Sequence, residues 1–132
     1  MYTKLAITSG EVDSILKSAK QEALNKNWSV AIAVVDDGGH LLGLTRMDLC
    51  APISSYIAIE KARTSALGMC ESKKYEEIIN KGRVAFVTAP LVTSLEGGIP
   101  IIVGGQVVGA VGVSGVNPEQ DALIARVGIL GI

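Results

Sequence analysis

Two hairpins, each turning on a pair of glycines, limit what this chain can fold into more than any other feature. Ser29 to Val35 is a nearly unbroken apolar and β-branched run, the pattern of a strand covered on both faces. Asp36-Asp37-Gly38-Gly39 follows, and its glycines supply the positive φ that a tight turn needs. Leu41 to Met47 is the return strand. The second unit repeats the logic: Ile99 to Val103, the turn Gly104-Gly105, then Val107 to Ser114. Gly109 and Gly112 lie inside that return strand, where a missing side chain permits a bulge or the close approach of another backbone or a ligand. Hairpins imply a largely antiparallel sheet.

Helices fill the intervals. Thr8-Ser9-Gly10-Glu11 reads as a capping box, and Val12, Ile15, Leu16, Ala19, Ala23 and Leu24 then recur at helical spacing as far as about Asn27. Pro52 fits the first turn of a second helix reaching about Met69, with a stripe of small residues, Ala58, Ala62 and Ala66, that lets it lie close to the sheet. Ser72 is placed to cap a short third helix through Ile79, with Gly82 as its stop. Arg83 to Thr88 is apolar enough for a fifth strand, interrupted at Ala89-Pro90. Asn117-Pro118-Glu119-Gln120 opens a last helix running toward Val127. The expectation is one α+β domain over residues 1–132.

A net charge of −1 gives no reason to expect nucleic acid or an anionic membrane as partner. Hydrophobic residues make up 48% of a chain this small and charged residues 19%, so apolar side chains remain outside once the core is filled. Subunit association is the natural cover for them. Cys50 and Cys70 are too few for a disulfide framework, and no signal peptide or membrane-spanning run is visible, so a reducing cytoplasm is the expected compartment.

Four segments, in this order and spacing, resemble the GlcG/HbpS/PduO C-terminal family: "AIAVVDDGGHLLGLTRMD", "AIEKARTSA" with its Lys-Ala pair, "EGGIPI", and "VVGAVGVSG" followed by an acidic residue, Asp121, opening the last helix. The likeness runs from about Thr8 to Gly128. It implies a profilin-like, five-stranded antiparallel sheet flanked by helices, and homo-oligomers, tetramers or octamers. It also implies ligand classes: some members bind haem and are tied to redox or iron sensing, and others accompany cobalamin adenosyltransferases and diol or glycerol dehydratases.

The candidate site residues follow from both lines. His40, the only histidine, stands one residue past the first glycine pair; an imidazole there can ligate haem iron or a corrinoid cobalt, or simply be a solvated turn residue. Arg46 and Asp48 end the return strand; Arg46 can clamp a carboxylate or haem propionate, or pair with Asp48 or Glu60. Met47 between them is a thioether or core filler. Lys61 can face an anionic ligand or serve an internal ion pair. Gly97, Gly98 and Ser114, with the glycines around it, admit close approach by a ligand or by neighbouring strands. No P-loop and no strand–GxGxxG–helix unit is present.

With one histidine and no paired acid and base, the reading favours a homo-oligomeric accessory protein that binds a tetrapyrrole, haem or a corrinoid, over catalysis. Two alternatives stand beside it. One is a cofactorless enzyme on a small anionic metabolite, with Arg46 or Lys61 orienting a carboxylate. The other is an interaction scaffold.

Overall fold

The capping and hairpin signals are realised in the computed structural model, which describes residues 1–132. Helix α1 (Ser9–Asn25) starts at Thr8, whose hydroxyl accepts from the Glu11 N–H while the Glu11 carboxylate accepts from the Thr8 N–H. Strands β1 (Ala31–Asp36) and β2 (Leu41–Arg46) form the first hairpin. Helices α2 (Ile53–Gly68) and α3 (Lys73–Asn80) follow. Strands β3 (Gly98–Val103) and β4 (Gln106–Ser114) form the second hairpin, and helix α4 (Pro118–Ile129) closes the order.

The sheet is antiparallel throughout, ordered β2-β1-β4-β3. The two apolar strands therefore meet at its centre, β1 against β4, where both faces are covered. Ile32, Val34, Val111 and Val113 pack under α1 and α4 with Ile15 and Ile124. Ala31, Ala33, Val35 and Ala110 face Ala58, Ala62 and Ala66 of α2. That second layer is built from small side chains, and the helix backbone comes down on the strand itself. A Cβ on Gly112 would lie 2.1 Å from the Ala58 carbonyl oxygen, so this position takes glycine on steric grounds alone.

Two expectations are corrected. The sheet has four strands and not five, because Val84–Thr88 forms a 3-10 turn. Gly82 with φ +107° precedes it and Pro90 follows. Its hydrogen bonds are local, and Phe86 packs its ring on Tyr75 of α3 at 5.7 Å. Ser72 precedes α3 as expected but does not cap it. Its buried hydroxyl donates to the Leu95 carbonyl and accepts from the Gly98 N–H, so it ties α3 to the start of β3.

At α4 the cap is complete. Asn117 accepts from the Gln120 N–H at 2.8 Å, and the Gln120 side chain accepts from the Asn117 N–H. Asn117→Ala is expected to cost about 1 kcal/mol, seen as a lower midpoint in chemical denaturation with an unchanged slope.

Candidate functional site

The residues singled out from the sequence separate into three places. The first is internal. Lys61 leaves the buried side of α2, crosses the end of β4 and donates to the Val113 carbonyl at 2.9 Å and to Asp121 Oδ2 at 3.0 Å. Asp121 Oδ1 accepts from the Val116 N–H at 3.1 Å. Both side chains are almost fully enclosed, at 4% and 3% exposure. Burial pushes the Asp121 carboxyl above its ordinary range, and the Lys61 charge and the two hydrogen bonds only partly offset this. Gly97 and Gly98 lie against the same lysine. A Cβ on Gly97 would stand 2.8 Å from Lys61 Nζ, and one on Gly98 would stand 2.2 Å from the Lys61 carbonyl oxygen. Lys61, Gly97 and Gly98 thus form a brace between α2, β3 and, through Asp121, α4.

The second place is a cleft of about 310 Å³ where the end of α1 and the start of β1 meet the end of β2. Lys20, Trp28, Arg46 and Asp48 line it, together with Leu24 and Met47. The local structure has a clear cause. Asn27 takes φ +57° to end the helical turn, and the Ser29 hydroxyl donates to the Asp48 carbonyl, which fixes the loop after β2. Arg46 pairs with neither Asp48 nor Glu60, since Glu60 is taken by Arg63. Lys20 and Arg46 stand outside every ion pair of the chain. The cleft is lined by these two cations, by Asp48 and by the chain's single tryptophan, over whose ring Lys26 Nζ stands at 5.7 Å. Ser114 belongs to the same cross-strand row as Arg46, through Ala31, but is buried.

His40 is the third place, at the far end of the six-residue strand β2, about 20 Å from Arg46 along the chain. Its Nδ1 stands 3.0 Å from Asp36 Oδ1 and 3.1 Å from Oδ2. Burial pushes the Asp36 carboxyl up, but the backbone N–H donors of His40 and Gly38 and the His40 ring outweigh it, and the net value falls below the ordinary range. The His40 ring thus packs its Nδ1 edge on the Asp36 carboxylate while its side chain stays 80% exposed.

The fold does not bring His40, the Arg46 cleft and the Lys61 brace together in one chain. Sequence reasoning missed Lys20 and Trp28 as cleft residues. A tryptophan at the foot of a strand, just past a helix carrying Lys20 and Lys26, is the available signal. It also left Asp121 at a helix N-terminus, where it does sit, without seeing Lys61 as its partner.

Fold and cleft define a class of protein: an antiparallel α+β sheet between helices, with a cation-lined cleft at the end of an edge strand. A model of the haem-degrading, HbpS-like family matches residues 7–130. The chain belongs to that family. Protein GlcG of Escherichia coli strain K12 is 60% identical over 114 residues, covering 86% of this chain and 85% of that one. Among solved structures, protein ORFY of Klebsiella pneumoniae, assigned to the DUF336 family, superposes with a TM-score of 0.90 at 28% identity, covering 98% of this chain and 93% of that one. A PduOC–haem complex superposes with a TM-score of 0.88 at 23% identity, covering 97% and 96%. No helix is long and apolar enough to cross a membrane.

Proposed function

We propose that this protein is a homo-oligomeric accessory protein that binds a tetrapyrrole, haem before a corrinoid, at the Arg46 cleft. The observation that carries the reading is that Lys20 and Arg46, both outside every ion pair, line one cleft with Trp28. A tetrapyrrole offers carboxylates on a flat apolar ring. The two cations suit the carboxylates, and Trp28 and Leu24 suit the ring. Family membership supports haem within that class. Bound haem supplies redox-active iron; what this chain's residues do is hold carboxylates and exclude water from one ring face. Asp48 borders the same cleft and limits how close a second anion comes. His40 is the chain's one imidazole, with Nδ1 against Asp36 and a largely exposed side chain. Lys61, Gly97, Gly98 and Ser114 serve the reading indirectly, by holding the sheet that carries the cleft.

Titration of the pure protein with haemin is expected to give a saturable Soret shift and quenching of Trp28 fluorescence. Arg46→Ala is expected to weaken haemin binding about tenfold, the loss of one charge-assisted contact of about 1.5 kcal/mol. A parallel titration with hydroxocobalamin separates the two ring systems. No stoichiometric uptake of either would remove this reading, and uptake indifferent to both Lys20→Ala and Arg46→Ala would move the site elsewhere.

A further inference from the structure

One side of the molecule forms a step. Leu41 and Leu44 of β2 pair with Val35 and Ala33, whose side chains lie beneath α2. They therefore point to the same face as α2, but the helix sits over the central strands and leaves them exposed. Beside this ledge, α2 presents Tyr56, Glu60, Arg63 and Leu67, spaced four, three and four residues apart and hence on one stripe. Tyr56 is 74% exposed and Leu67 41%. The stripe flanks the first hairpin: a Cβ on Gly39 would touch Arg63 and Leu67, and the Arg63 guanidinium reaches the Gly39 carbonyl.

That stripe reads as its own complement when reversed. Laid antiparallel on a copy of itself, it sets Tyr56 against Leu67 and Glu60 against Arg63, twice over. Glu60 and Arg63 already bond within one helix at 2.5 Å, so the doubled arrangement is a closed ring of four alternating charges between two apolar pairs. A two-fold axis produces this antiparallel match from one sequence, and two helices at 8–10 Å bring such side chains into contact. On the same step, the incoming α2 covers the ledge leucines.

We propose that a second copy of this chain docks on the α2–β2 step through antiparallel α2–α2 packing, with Glu60 of each copy meeting Arg63 of the other. This rests on the homo-oligomer part of the proposed function and adds the face, the register and the residues. Sedimentation equilibrium of the full chain tests it, with far-UV circular dichroism to confirm folding. Arg63→Glu places four like charges at the centre and is expected to raise the dissociation constant at least tenfold or leave a smaller species. The swap Glu60→Arg with Arg63→Glu restores opposite charges across the axis and is expected to restore assembly. Leu44→Asp, on the ledge, is expected to weaken assembly without touching the charges. An oligomer indifferent to Arg63→Glu and Leu44→Asp, or one weakened by Arg63→Glu and not rescued by the swap, overturns this interface while leaving self-association standing. A wild-type chain that stays monomeric overturns both.

Discussion

Lys61→Met is expected to lower the free energy of unfolding by about 3–5 kcal/mol, a large share of the 5–15 kcal/mol that holds a domain of this size together. The methionine keeps the length and apolar stem of lysine, so little cavity is left. What is lost is the ammonium that meets Asp121 Oδ2 and the Val113 carbonyl, and Asp121 stays behind, buried and unpaired. The pH dependence identifies the cause. Burial already holds the Asp121 carboxyl above its ordinary range, with Lys61 the foremost influence pulling it down. A folded-state value above the unfolded one means that the folded protein holds the proton more tightly. Asp121's contribution is therefore fullest below the unfolded value and is lost as pH rises through the folded one. Removing Lys61 moves the carboxyl further up and steepens that loss. The deficit of Lys61→Met against wild type is then greatest at neutral pH and shrinks on acidification. Urea titrations at neutral and mildly acid pH check this, and equal deficits at both would assign the effect to packing. Adding Asp121→Asn, which keeps an acceptor for the Val116 N–H, is expected to recover part of the loss at neutral pH.

Local rules explain what was legible beforehand. The capping boxes at Thr8 and Asn117 are complete within four residues, and the two turns need only the positive φ of Gly39 and of Gly104-Gly105, Gly38 not being among the positive-φ glycines. Such features carry their cause in adjacent positions, and each appears where expected. Arg83 to Thr88 shows the limit. Its apolar content fits a strand, yet it forms a 3-10 turn with no buried residue, closed by hydrogen bonds within its own neighbourhood. The site was legible in pieces. Arg46 marks the cleft, but Lys20 and Trp28 reach it from α1 and the foot of β1 through packing that no spacing rule encodes. Lys61 and Asp121 stand 60 residues apart, and their meeting depends on α2 and α4 both crossing the end of β4. For the glycines, close approach by another backbone or strand and approach by a ligand are both open readings of the sequence. Gly98 and Gly112 admit a helix backbone where a bound ligand was the alternative.

Gly98→Ala is accordingly expected to be among the most damaging single-atom additions to this chain. The new Cβ would stand 2.2 Å from the Lys61 carbonyl oxygen and 2.8 Å from its carbon, both backbone atoms that no rotamer change can move. Relief requires α2 to rise from the sheet. That would open the alanine layer at Ala58, Ala62 and Ala66 and stretch the Lys61–Asp121 contact. The hydrogen bond from the Gly98 N–H to Ser72 and that from the Ser72 N–H to the Gly98 carbonyl tie the same residue to α3, so the strain has no free direction. A cost of about 3 kcal/mol, at the upper end for overpacking, follows. Gly105→Ala is the informative contrast. Its Cβ would meet nothing within 4 Å, but its φ is +77°, so the penalty is conformational alone and about 1 kcal/mol. If thermal and urea unfolding rank Gly98→Ala no worse than Gly105→Ala, α2 is not seated on β3 as closely as the alanine layer requires. If the ranking holds, the glycines after Glu96 are seats for a helix, and Lys61 is the part of that helix they receive.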